Sequence, residues 1–220
     1  MPSYGTQIFN SGSAVQVDGV YKNFGVHAAG SATLADYNTV VIFPTLPYWT
    51  SPIVLVHSTK KVAFAGFVKD VNGNYTGFRC FTEASNTIDY AILVPADALP
   101  VYSDSHGLLL YDAAGAKIFD SRNRYFNVVD VVTIPLPADA NTPSDFTHAS
   151  VSNPYYLLGN LNGWVWYPGG GQFYVEYRLF AQSLSTTSGQ LSLSAIGPVP
   201  EFYLNELADN YTVVVCELLN

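Results

Sequence analysis

Trp164, Trp166 and Tyr167, followed by Pro168-Gly169-Gly170-Gly171, are the residues of this 220-residue chain best suited to hold another molecule. In an extended segment Trp164 and Trp166 share one face, with Val165 on the other. Flat indole faces stack on sugar rings or fill a pocket on a protein partner. The same rings also suit a β core with the glycine run as its turn. Packing in a core or subunit interface is favoured over a glycan site.

The other reactive side chains fit no reaction. His27, His57, His106 and His148 are far apart and form no His-x-His or His-x-x-x-His pair, so no metal site is expected. Asp70-Val-Asn-Gly-Asn-Tyr starts like a calcium loop. Tyr75, however, occupies the position that needs glycine, and no Glu closes the loop. Gly12-Ser-Ala and Thr187-Ser-Gly build no Gly-x-Ser-x-Gly elbow. The run Asp104-Ser105-His106 cannot act as a triad, because neighbours in an extended chain point to opposite faces. Glycoside cleavage needs two carboxylates across the scissile bond, and none of the 17 acidic residues falls in a segment assignable to a cleft. Asp18 and Asp120 read as turn or cap residues. The expectation is no enzyme, no catalytic residue and no cofactor.

Composition narrows the partners. Lys and Arg number 9 against 17 Asp and Glu, a net charge of -8. Lys60-Lys61 is the one adjacent basic pair, which suits a soluble strand end. Without clustered cations to displace phosphate counterions, nucleic acid is not an expected partner. No apolar run approaches the roughly 20 residues that span a bilayer, so membrane insertion is not expected. The opening Met-Pro-Ser-Tyr-Gly lacks a basic segment followed by an apolar one, which predicts no secretory leader. Cys80 and Cys216 lie in strand-like runs and read as buried free thiols. Charged residues are 12% of the chain, about half the usual share, and aromatics reach 15%. Interfaces are rich in Tyr, Trp and Phe and poor in Lys and Glu. A surface of this kind predicts homo-oligomerisation or docking onto a larger assembly.

The elements that must carry these residues are strands. Short apolar runs broken by Gly, Pro, Asn and Asp recur throughout, and no long stretch has helical spacing. Residues 62–82 read as a hairpin with a type I′ turn at Asn72-Gly73, followed by a strand at 88–94 that Pro95 stops. Further strands are expected at 39–43, 53–57, 126–134, 172–180, 190–195 and 211–218. In the 172–180 strand, Phe173, Val175, Tyr177 and Leu179 share a face. One or two helical turns are expected within 200–209. The fold class is all-β: two β-sandwich-like modules with little helix, an N-terminal one at 1–100 and a C-terminal one at 101–220.

An internal repeat supports two modules. Gly5-Thr-Gln-Ile-Phe-Asn-Ser-Gly-Ser-Ala-Val-Gln-Val-Asp parallels Gly107-Leu-Leu-Leu-Tyr-Asp-Ala-Ala-Gly-Ala-Lys-Ile-Phe-Asp at an offset of 102, from 5 to 107, without a gap through Val26 and Val128. Gly5/Gly107, Ala14/Ala116, Asp18/Asp120, Phe24/Phe126 and Val26/Val128 are identical. Each copy reads as a hairpin that turns through Asn or Asp and Gly.

Tyr4-Gly5-Thr-Gln-Ile-Phe-Asn resembles the opening of a family of small tail proteins of tailed bacteriophages. The second copy, His106-Gly-Leu-Leu-Leu-Tyr-Asp-Ala-Ala-Gly-Ala-Lys-Ile-Phe-Asp-Ser-Arg, is the better match, although His106 stands where Tyr is usual. The resemblance implies a virion structural protein of a phage or prophage tail, in the tail tip, baseplate or fibre. Its partners would be copies of itself and other tail subunits, with a host-surface glycan or protein as a further contact. It would be made in the host bacterial cytoplasm. The alternative is a carbohydrate-binding β-sandwich module.

Overall fold

A computed structural model describes residues 7–9, 15–18, 23–35, 39–100, 106–135, 142–157, 176–196 and 210–219. Trp164, Trp166, Tyr167, residues 172–175 and the expected helix at 200–209 lie outside them. The first half contributes β1 (Gln7–Phe9), β2 (Val15–Asp18), β3 (Phe24–Leu34), β4 (Thr39–Leu46), β5 (Ile53–His57), β6 (Val62–Lys69), β7 (Tyr75–Thr82) and β8 (Asn86–Pro95). The second contributes β9 (Leu109–Tyr111), β10 (Lys117–Asp120), β11 (Phe126–Pro135), β12 (Ser144–Thr147), β13 (Tyr155–Leu157), β14 (Glu176–Ser185), β15 (Ser188–Ile196) and β16 (Asn210–Leu218). The one helical element among the described residues is a 3-10 turn at Ala96–Ala98. The fold is all-β and sandwich-like.

The β6–β7 hairpin forms where expected, but its turn is set one residue earlier. The Gly73 amide donates to the Asp70 carbonyl at 3.0 Å, so Val71 and Asn72 are central and Gly73 takes a φ of 83°. This is a three-residue loop with a glycine bulge instead of a two-residue type I′ turn. Asp70 decides between them, because its Oδ1 accepts from the amides of Asn72 (2.8 Å) and Asn74 (2.9 Å). The β9–β10 hairpin uses the same device. Asp112 Oδ1 accepts from Ala114 (2.9 Å) and Ala116 (2.8 Å), and Gly115 also has a φ of 83°.

Two six-stranded antiparallel sheets make the body, one ordered β11-β16-β13-β5-β8-β3 and the other β12-β15-β14-β6-β7-β4. Each takes three strands from each half, joined at its centre by β5–β13 and β6–β14. Exchanging β1–β8 with β9–β16 leaves both orders unchanged when read from the other end. The registers obey the same exchange. Gln7 pairs with Asp18, Ile8 with Val17 and Phe9 with Val15, while Leu109 pairs with Asp120, Leu110 with Phe119 and Tyr111 with Lys117. The bulge between Val26 and Ala28 on β3 recurs between Val128 and Asp130 on β11. At the centre of the first sheet Leu55 pairs with Leu157, its own counterpart at the offset of 102. The two halves are therefore related by a pseudo-two-fold axis passing beside that pair.

Two cores follow. Between the sheets, Val41, Phe43, Phe64, Phe78 and Cys80 of the second meet Val54, Val56, Ile92, Tyr156 and Val215 of the first. Each fully buried large side chain contributes about 1.5–3 kcal/mol. The far face of the first sheet holds a smaller core in matched pairs: Phe24 with Phe126, Ile53 with Tyr155, Leu55 with Leu157, Ala91 with Val214 and Leu93 with Cys216. The sheet curls around this core until its outer strands meet, the Val26 amide donating to Arg124 just ahead of β11 at 2.8 Å.

Candidate functional site

Three of the four histidines bond to the backbone of the fold. His57 Nδ1 donates to the Pro154 carbonyl at 2.9 Å, and His27 Nε2 donates to Pro44 at 3.0 Å from the β3 bulge. His148 Nδ1 donates to Ala149 at 2.8 Å, leaving Nε2 to accept from the Tyr156 hydroxyl at 3.3 Å. These rings lie apart, and among the described residues no three His, Cys, Asp or Glu side chains converge on a metal position. Burial pushes the Cys216 thiol up to about 12 and the Cys80 thiol higher still, so neither supplies a thiolate at neutral pH.

Asp120 ends β10 fully buried and behaves as the turn residue its spacing suggests. Arg122 holds its carboxylate with Nε at 2.8 Å and Nη2 at 2.9 Å, and the Arg122 amide adds a third bond. This bidentate grip keeps the carboxyl below its usual range. Tyr125 closes the loop: its hydroxyl donates to the Asp120 carbonyl (3.0 Å) and accepts from the Asp120 amide (2.9 Å). Lys117 nearby donates to the carbonyls of Leu99 and Pro100. The cluster latches the β9–β10 hairpin to Leu99 and Pro100 and commits the Asp120 carboxylate to Arg122.

A cleft of about 250 Å³ lies between residues 59–61, 82–84 and Gln182. Its cations are engaged, Lys60 with the Ser85 carbonyl and Lys61 with Glu83 at 3.2 Å. Lys60-Lys61 thus sits in a strand connection, as the sequence suggests.

The surface feature with binding chemistry is a corner at the β4 edge of the second sheet. β4 exposes the apolar Val40 (40%) and Ile42 (65%). The chain then turns at Pro47, whose carbonyl accepts from both the amide and the hydroxyl of buried Thr50. This turn directs Tyr48 (67% exposed) and Trp49 (59%) into solvent. The tip of the β6–β7 hairpin stands alongside, with Gly73 against the Tyr48 Cβ and Val71 fully exposed. Residues 39–49 contain no charge, and the Asp70 carboxylate is spent on its own loop. Such a corner can stack on a flat apolar ligand or bury itself against protein.

Sequence reasoning passed over Tyr48 and Trp49. The signal was an aromatic pair between Pro47 and Pro52, since breaker-bounded rings tend to stand in loops rather than strands. Compared with known proteins, the chain matches no family model, no curated protein and no solved structure.

Proposed function

We propose that this chain is a structural subunit of a phage or prophage tail, placed in the tail tip, baseplate or fibre and bound to copies of itself and to other tail subunits. The observation that carries the reading is the uncharged corner of Ile42, Tyr48, Trp49 and Val71 on a rigid β frame. Exposed apolar patches of this kind mark surfaces that are buried on assembly. Support also comes from the Tyr-Gly opening, the paired hairpins ending at Asp18 and Asp120, and the low share of charged residues. The test is to follow a tagged full-length chain through particle purification. It should sediment with intact virions and be labelled at the tail in electron micrographs. A chain that stays wholly in the soluble fraction while particles assemble overturns the proposal.

A second reading, a carbohydrate-binding module, is favoured by the adjacent exposed rings of Tyr48 and Trp49. It requires saccharide titration to shift tryptophan emission, and Trp49→Ala or Trp164→Ala with Trp166→Ala to abolish that shift. Flat titrations across a glycan panel dismiss it.

A further inference from the structure

We propose that the two halves are copies of one module, and that the apolar corner on the first copy is a seam where two chains pair, β4 against β4, about a true two-fold axis. The pseudo-two-fold relation makes the second copy an internal control for the first. Residues 39–46 and 144–151 follow the same order of buried and exposed positions. Buried Val41, Phe43 and Leu46 thereby correspond to buried Phe146, His148 and Val151.

The exposed positions of the same stretch do not match. Where β4 presents Val40 and Ile42, β12 presents Asp145 and Thr147. Between those stretches and the buried prolines Pro52 and Pro154, the first copy has residues 47–51 with Tyr48 and Trp49, and the second has only Ser152 and Asn153. At the neighbouring hairpin tip, Val71 faces Thr186 and Thr187 in the comparison, with Leu184 the exposed apolar residue of that region. Both corners end the same sheet in the same chain. At the matching positions one has Asp145 and Thr147, of the kind that protects a sheet edge from association, and the other has Val40 and Ile42.

The occupant follows from the strand itself. Antiparallel pairing of β4 with β4 centred on Val41 sets Val40 opposite the second chain's Ile42, an apolar pair on each side of the axis. No charge lies in residues 39–49 to oppose it, whereas the same pairing on β12 would set Asp145 opposite Thr147 and leave the two Asp145 carboxylates on a diagonal of like charge. Pro44, which lacks an amide, and the register shift between Ile42 and Leu46 limit the pairing to about residues 39–43. Edge-to-edge joining about a two-fold is also how the two halves already meet, at β5–β13 and β6–β14. The seam would continue the second sheet across a second axis. It deepens the homo-oligomer of the proposed function, yet it is read in purified protein without particles, so the two can fail separately.

The experiment measures mass in solution by sedimentation and light scattering, using the full chain at micromolar concentration. Wild type should be a dimer. Val40→Asp with Ile42→Thr, which copies the second module's residues, should raise the dimer Kd at least about tenfold with an unchanged circular dichroism spectrum. Tyr48→Ser with Trp49→Asn should weaken it in the same direction, and Asp145→Val should leave it intact. Hydrogen exchange on wild type supplies a measurement free of variants: amides in 39–43 should gain protection as concentration rises. A monomeric wild type, or a dimer indifferent to both double variants, overturns the seam.

Discussion

Leu55→Ala tests whether the two halves are one cooperative structure. Leu55 is fully buried in the smaller core and pairs with Leu157 where the halves join. Its neighbours Ala91, Leu93 and Cys216 are equally buried in strands held on both sides, so collapse into the vacated space is limited. Buried Leu→Ala changes cost about 2–5 kcal/mol, and this site should fall near 3 kcal/mol. In a chain of this size that lowers the thermal midpoint by about 6–12 °C.

The native cysteines provide the assay. Cys80 on β7 belongs to the first half and the inter-sheet core; Cys216 on β16 belongs to the second half and the smaller core. Both are buried and free, so a pulse of thiol reagent along a urea gradient reports the opening of each half separately. Because β5–β13 and β6–β14 run both sheets through both halves, Leu55→Ala should move the two unmasking midpoints together and by the same amount. A variant in which Cys80 opens early while Cys216 keeps its wild-type midpoint would refute the reasoning. The β5–β13 and β6–β14 junctions would then be contacts between independent units.

Other consequences are more local. Asp120→Asn should cost about 2–3 kcal/mol at neutral pH by leaving Arg122 without its counter-charge, measured by urea denaturation. Because the folded Asp120 pKa is depressed, its stabilisation is complete above the unfolded value of about 3.9 and is lost as pH falls through the folded value. The variant should therefore have a shallower acid limb in a stability-pH profile. Gly77→Ala would place a Cβ 2.6 Å from the Val41 carbonyl oxygen, so β4 must move off β7 at a cost of about 1–3 kcal/mol. An unchanged melting temperature would contradict that packing.

What the sequence discloses is set by how strongly each segment decides its own fate. Strands such as β5 (Ile53–His57) and β16 (Asn210–Leu218) are β-branched runs between breakers and are visible at once. β3 is hidden, because Phe24-Gly-Val-His-Ala-Ala-Gly-Ser-Ala-Thr-Leu34 is rich in small residues with weak strand preference. It is extended because β8 pairs with it along its whole length. β12 and β13 are too short to alternate visibly and also take their form from partners. The hairpin turn lies one residue before Asn72-Gly73 because the Asp70 carboxylate, a partner that the dipeptide does not disclose, accepts from the Asn72 and Asn74 amides. At the candidate corner the residues were legible but their exposure was not, since Val40 and Val41 differ only in the face they occupy. Trp164, Trp166 and Tyr167 remain a sequence expectation outside the described residues.

The repeat shows the same division between what position preserves and what identity preserves. Sequence likeness ends near Val26 and Val128, yet strand order and the burial pattern of 39–46 and 144–151 carry the relation beyond it. Buried sites conserve volume and apolarity loosely, so Val41 can answer to Phe146 and Phe43 to His148 without disturbing the frame. Exposed sites carry no such constraint, and solubility alone pushes them towards polar residues. Val40, Ile42, Tyr48, Trp49 and Val71 run against that push in one copy only. The shared frame cannot explain the difference, because the other copy stands without it. What remains is a difference confined to the first module's corner, and the proposed β4–β4 pairing is a load that uncharged, outward-facing rings and branched chains suit.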